Sequence, residues 1–129
     1  MGQAVFFAMK AVLDSDVLID YLQGEPRARA ELARYQQPHY SVISLIELHC
    51  GARNKAERAA VDSLLATLTR VELGDEVARR AVEIRKSLGL KLPDAVVLAS
   101  AETEGCILVT RNTRDFPKDD PRVRFPYVL

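Results

Sequence analysis

What most constrains this chain is a repeated punctuation in which short apolar runs are each followed by one or two helical patterns. Residues 11–13 (Ala-Val-Leu) end at Asp14 and lead into Val17, Leu18, Ile19, Tyr21 and Leu22 at helical spacing, closed by Gly24. Pro26 suits a first helical position, and residues 28–35 mix arginine with alanine and leucine as a surface helix does. Residues 39–42 read as a second strand. Ser44 then opens a helix carrying Leu45, Ile46, Leu48 and Cys50, and residues 55–68 continue helically with Ala59, Ala60, Leu64, Leu65 and Leu68 as the apolar stripe. A third strand fits residues 70–73. Residues 75–88 form an amphipathic helix with Val77, Ala78, Ala81, Val82, Ile84 and Leu88 inward, stopped by Gly89. Pro93 starts a helix that is apolar on nearly every side from Ala95 to Ala101, so it is expected to be buried; residues 107–110 are a buried strand, and residues 124–129 an edge strand. Strands separated by helices imply an α/β fold in three layers, with a short, mostly parallel, twisted sheet between helices.

Composition narrows the function. At 129 residues the chain fits one domain, read as residues 9–129. Residues 1–8 are apolar but short and lack a basic start, so they are taken as an extension without assigned function rather than a signal peptide. No apolar run is long enough for a spanning helix, which argues against a membrane span, and no membrane partner is expected. Cys50 and Cys106 have apolar neighbours and read as buried structural thiols, consistent with a reducing cytoplasm. Eighteen basic residues balance 18 acidic ones, with a pI near 6.7. That balance excludes an ordinary strongly basic nucleic-acid module.

In an open parallel sheet, ligands bind at the carboxyl ends of the strands. Asp14 ends the first strand, and the polar loop from Thr110 to Asp115 follows the strand at Ile107. Glu47 lies one turn into the helix after the second strand, and Asp94 opens the buried helix after Pro93. Each has an ordinary structural use as well: Asp14 as a helix cap, Ser44-Leu45-Ile46-Glu47 as a capping box, Asp94 beside a helix dipole and Asp115 in a turn. Together they would bring carboxylates from separate segments into one pocket. Such charges repel unless a cation neutralises them. With oxygen donors and no Cys/His cluster, the cation would be Mg²⁺ or Mn²⁺ rather than zinc. His39 and His49 read as structural.

These residues resemble the PIN-domain ribonucleases, and more narrowly the VapC-like toxins of toxin-antitoxin pairs. The resemblance runs through four ordered segments: Val12-Leu13-Asp14-Ser15-Asp16-Val17-Leu18-Ile19; Ser41-Val42-Ile43-Ser44-Leu45-Ile46-Glu47-Leu48 with Gly51; Leu92-Pro93-Asp94-Ala95-Val96-Val97-Leu98-Ala99-Ser100-Ala101; and Leu108-Val109-Thr110-Arg111-Asn112-Thr113-Arg114-Asp115-Phe116. It implies a PIN-like fold and a metal-dependent endoribonuclease that hydrolyses cellular RNA, tRNA or rRNA. Carried over by position, Asp14, Glu47, Asp94 and Asp115 form the acidic site, with Asp14 and Asp94 as direct ligands of Mg²⁺, or Mn²⁺ in its place. Glu47 and Asp115 hold water on the metal or a second ion. Asp16, Thr110 and Asn112 support the site, and Asn112 competes with Asp115 for the fourth role. Arg111, Arg114, Arg53, Lys55 and Lys91 are the candidate phosphate contacts. The implied partners are an RNA substrate and a cognate antitoxin protein whose tail occupies the site. The implied assembly is a homodimer that associates further with the antitoxin.

Two other readings compete. A haloacid-dehalogenase-type phosphatase would use Asp14 as nucleophile in Asp14-Ser15-Asp16-Val17, with Asp119 and Asp120 as a late acidic pair. A catalytically silent PIN-like module would bind RNA or protein without cutting. With the four site acids set aside, 18 bases face 14 acids, so the remaining protein carries +4. The neutral total is then that of a mildly basic protein built around an acidic hole.

Overall fold

The computed structural model describes residues 9–129; the expectation for residues 1–8 lies outside the described residues. The elements in chain order are β1 (Lys10–Leu13), α1 (Ser15–Leu22), α2 (Pro26–Ala33), β2 (Gln37–Ser41), α3 (Val42–Gly51), α4 (Lys55–Leu65), β3 (Thr69–Val71), α5 (Asp75–Leu88), α6 (Leu92–Thr103), β4 (Ile107–Val109) and β5 (Val123–Arg124). The strands form one parallel sheet in the order β3-β2-β1-β4-β5. β1 is central and pairs with β2 (Val12 opposite His39) and with β4 (Leu13 opposite Val109). The chain first builds outward from β1 to β3, then crosses back through α5 and α6 to place β4 on the other side of β1. The order therefore reverses between β1 and β4, and their carboxyl ends mark the crevice where a doubly wound sheet binds ligands.

Side chains alternate across each strand, so each face of the sheet collects its own core. Val12 and Leu108 face a cluster with Val71, Val77, Ala81, Ile84, Phe116 and the apolar side of α6. Ala11, Leu13 and Val109 face the other cluster, with Val17, Leu18, Leu32, Leu48, Leu64 and Leu65 of α1 to α4. The result is the expected three-layer α/β/α arrangement. Residues 95–101 of α6 are all buried, which is why that segment has no polar face.

Five details differ from the sequence expectations. Helix α3 begins at Val42 because Ser41 Oγ accepts the Ile43 N–H at 3.1 Å, so Ser41 is the cap and Ser44 with Glu47 is not a capping box. Val42 and Ile43 are β-branched and read as strand, but the cap turns the chain before them. Only Val77, Ala81 and Ile84 of the α5 stripe are buried, while Ala78, Val82 and Leu88 face solvent. In α4, Val61, Leu64 and Leu65 are buried and Ala59 and Ala60 are exposed. Both helices lie on the outside of the layers, where a narrow stripe suffices. Cys50 is exposed and Cys106 only half-buried, so apolar neighbours in sequence did not mean an apolar environment. Strand β5 is confined to Val123–Arg124, because Pro126 cannot donate to a sheet ladder.

Glu31 of α2 is buried, held by Arg124 (Nε to Oε2 2.8 Å, Nη2 to Oε1 3.0 Å) and by the Tyr35 hydroxyl at 2.7 Å. Removing one partner leaves a buried charge short of compensation. Arg124→Ala is expected to lower the unfolding free energy by about 2–3 kcal/mol in urea titrations with an unchanged slope.

Candidate active site

Asp14 sits where β1 ends and α1 begins. Its extended backbone makes it the helix cap: Oδ1 accepts the Ser15 N–H at 2.8 Å. Its other oxygen accepts the Thr110 hydroxyl at 2.8 Å, from the residue just past β4. Thr110 is completely buried, and its Oγ1 also lies 3.3 Å from Asp16 Oδ2 and accepts the Asn112 N–H at 3.0 Å. One hydroxyl thus ties the first and fourth sequence segments together at the point where the strand order reverses.

Asp16 accepts the Val17 N–H at 2.7 Å and the Arg111 N–H at 3.1 Å. Glu47 projects from α3 toward α1, where Ser15 Oγ donates to its Oε1 at 2.6 Å. Ser44 Oγ is 2.9 Å from Ser15 Oγ; with the single Ser15 proton committed to Glu47, Ser44 is the donor in that contact. In the loop after β4, Asn112 and Asp115 close a turn: Nδ2 donates to Asp115 Oδ2 at 2.9 Å, and Oδ1 accepts the Asp115 N–H at 3.1 Å. Lys91 Nζ lies 3.7 Å from the same Asp115 oxygen. Asp94 is half-buried in the first turn of α6.

The electrostatics mark these carboxylates as one group. Burial, then the charges of Asp16 and Asp94, push the Asp14 carboxyl up to about 7 from 3.8, against the bonds from Thr110 and Ser15. Burial raises Asp16 from its ordinary value, opposed by the Arg111 and Val17 N–H bonds. Asp94 is raised by burial and by the charges of Asp115, Glu47 and Asp16, with Lys91 opposing. Asp115 is lowered, first by the Asn112 bond and then by Lys91 and Arg114.

Of the expected cations, Lys91 and Arg114 stand by the carboxylates, each acting on Asp115. Arg111 is not a free phosphate contact: its Nη2 donates to Asp20 Oδ1 at 3.1 Å and its Nε to the other Asp20 oxygen. Arg53 is held by Glu57 (Nη2 to Oε2 2.9 Å) at the mouth of a cavity of about 470 Å³ that Glu47, Leu22, Gln23 and Val61 also line. Lys55 is exposed at the start of α4. His39 is buried with Nδ1 2.8 Å from the Gln37 carbonyl, and His49 pairs with Asp62. The contacts of Ser15, Ser44 and Asp20 were not anticipated. Asp20 did carry a signal, as an acid inside the apolar helix run of residues 17–22.

The PIN-domain model matches residues 11–119. The chain belongs to the PIN-domain family. A chain in a toxin-antitoxin complex from Klebsiella pneumoniae is 33% identical to this PIN domain with a TM-score of 0.85, covering 92% of this chain and 99% of that one. VapBC2 from Rickettsia felis, bound to a DNA fragment from its promoter, is 22% identical (TM-score 0.76; 89% of this chain, 96% of that one). DNA-bound VapBC from Salmonella typhimurium is 24% identical (TM-score 0.75; 90% and 96%). No curated protein matches the sequence. The phosphatase reading falls with the family assignment, and Asp120 of its supposed acidic pair is engaged by Arg122 at 2.6 Å.

Among the described residues, no three or more His, Cys, Asp or Glu side chains are close enough together to enclose a metal ion. The donor chemistry of this PIN domain nevertheless fits Mg²⁺, which takes one or two carboxylates and keeps several waters instead of needing a protein cage. Carboxylates held partly out of water, with like charges raising Asp14 and Asp94, would be stabilised by a divalent cation.

The folded value of Asp14, about 7, lies above its ordinary 3.8, so ionisation works against the folded state. In EDTA, wild-type Tm is expected to fall as pH rises from about 4 to about 7 and then level off. Asp14→Asn should show a flatter curve and melt higher than wild type at about pH 8. Identical pH curves would rule out Asp14 as the group responsible.

Proposed function

We propose that residues 9–129 act as one PIN domain whose function is Mg²⁺-dependent cleavage of RNA, as the toxin of a toxin-antitoxin pair in the cytoplasm. What supports this reading is the position of Asp14 at the carboxyl end of β1, bonded by Thr110 from just past β4, with the charge of Asp94 acting on Asp14 and those of Asp115 and Glu47 acting on Asp94. PIN domains are typically metal-dependent nucleases, and the 33% identical chain comes from a toxin-antitoxin complex. Toxin identity and an antitoxin partner come to this chain by that likeness, whereas a homodimer rests only on the resemblance to VapC-like toxins.

In this reading Asp14 and Asp94 would hold the ion directly, and Glu47 and Asp115 would orient water beside it. Mg²⁺, or Mn²⁺ in its place, would supply Lewis-acid chemistry for hydrolysis of the phosphodiester. Thr110 locks the Asp14 carboxylate by donating to Oδ2, so the oxygen geometry is set before anything binds. Ser15 does the same for Glu47 at 2.6 Å. Asn112 fixes Asp115 in its turn and is a supporting residue rather than a replacement for it. Asp16 adds negative charge while the Arg111 N–H holds it in place. Lys91 and Arg114 draw the RNA backbone toward the acids, and Lys55 adds a weaker, more distant attraction. Arg53 and Arg111, paired with Glu57 and Asp20, set local structure instead.

Purified protein incubated with a structured RNA should cut it with Mg²⁺ or Mn²⁺ and not with EDTA. Asp14→Asn and Asp94→Asn should each reduce cleavage by at least about 100-fold while leaving far-UV circular dichroism unchanged. Undiminished cleavage in EDTA would sink the mechanism. A folded protein with an intact cation site that never cuts RNA would favour the silent binding module. Lys91→Ala and Arg114→Ala should raise KM roughly threefold each with kcat nearly unchanged, and the effect should shrink as salt increases.

A further inference from the structure

Asp20 is an acid that the proposed reaction does not use. It lies one helical turn beyond Asp16, on the same side of α1, and is almost fully buried at 4% exposure. Two carboxylates one turn apart thus face the turn after β4, and Arg111 of that turn serves both. Its backbone N–H donates to Asp16 Oδ2 at 3.1 Å. Its guanidinium forks onto Asp20, Nη2 to Oδ1 at 3.1 Å and Nε to Oδ2. The same Asp20 Oδ2 accepts the Tyr127 hydroxyl at 2.7 Å. Tyr127 belongs to the C-terminal tail, which Arg27 fastens to α2: Arg27 Nη1 donates to the Val128 carbonyl at 2.8 Å and its guanidinium lies 5.6 Å from the centre of the Tyr127 ring.

The competition this resolves is electrostatic. The charge of the Arg111 guanidinium already pulls on the Asp16 carboxylate. A guanidinium free to rotate would pair with Asp16 and fill the negative field that a divalent ion needs. The planar fork at Asp20, completed by the tyrosine hydroxyl, holds the guanidinium on the far side while the backbone N–H stays on Asp16. We propose that Asp20, held by Tyr127, is a positioning residue that keeps the Arg111 guanidinium away from the carboxylate cluster and so keeps the cluster open to a divalent cation. The inference rests on the metal-site reading above and adds to it a role for the C-terminal tail.

The test is Mn²⁺ binding to purified full-length protein, titrated by calorimetry without RNA. Asp20→Asn should weaken binding about tenfold, and Tyr127→Phe about threefold, because each loosens the fork. The double variant Asp20→Asn/Arg111→Gln keeps the backbone N–H but removes the competing charge, so its affinity should return to within about threefold of wild type. In metal-free protein, the Arg111 Nε proton should exchange with solvent faster in Tyr127→Phe than in wild type. Arg80→Ala, which breaks the pair with Glu102 between α5 and α6 and leaves Asp20 and Tyr127 untouched, should bind Mn²⁺ as wild type does. Unchanged affinity in Asp20→Asn would overturn the inference, as would a double variant as weak as the single one or an equal loss in Arg80→Ala. If Asp20→Asn does not fold, the Tyr127→Phe affinity and proton exchange decide instead. Wild-type protein that binds no Mn²⁺ would overturn the metal-site reading and this inference with it, whereas wild-type binding with insensitive variants overturns the inference alone.

Discussion

Everything in this structure leans on the Thr110 hydroxyl bonded to Asp14 where two parallel strands end side by side. β1 and β4 are far apart in sequence and become neighbours only because the chain crosses back over the sheet through α5 and α6. Their pairing puts a hydroxyl beside a carboxylate that is almost wholly removed from water. That bond answers part of the desolvation cost but does not remove the charge. The acid is left raised toward neutrality, with a second carboxylate, Asp16, sharing the same hydroxyl. A fold that concentrates negative charge in this way carries an electrostatic cost in its own stability, which a bound cation would relieve.

The surrounding residues keep that tension from relaxing. Ser41 caps α3 and thereby sets which side of the helix Glu47 occupies; Ser15 then restrains its carboxylate. Asn112 folds the loop back on itself to present Asp115, and Lys91 is the one basic side chain recorded in an ion pair with a site carboxylate among the described residues. The more strongly paired arginines, Arg111, Arg122 and Arg124, are spent on acids outside the cluster. The molecule balances its charge overall while leaving this crevice acidic.

Much of this was legible in the sequence because it is written in local patterns. Short apolar runs ending in an acid, and helices opened by Pro93 and stopped by Gly89, place Asp14 and Asp94 without knowledge of the sheet. What stayed hidden depends on distance or on competition between two local rules. Ser44 with Glu47 satisfies a capping pattern, yet Ser41 three residues earlier wins, because the chain must turn at the strand end. Arg111 looks like a phosphate contact until Asp20, 91 residues away, is brought beside it. Cys50 has apolar neighbours along the chain but lies on the outward side of its helix. Side-chain burial follows the packing partner of each face, which a single sequence encodes only through long-range pairing.

β5 is two residues long and joins the sheet without a crossover helix. Its backbone adds little, since Leu108 and Thr110 N–H groups bond the Arg122 and Arg124 carbonyls, while the rest of its hold comes from arginine side chains reaching Glu102, Asp120 and Glu31. Such an edge opens at a lower free energy than the central strands. The segment it closes is the one that carries Arg111, Asn112 and Asp115. A partial opening that starts at this edge would therefore dismantle the acidic crevice and draw Phe116 out of one core while β1 and β2 stayed paired, so that the site has a smaller reserve of stability than the strands that support it.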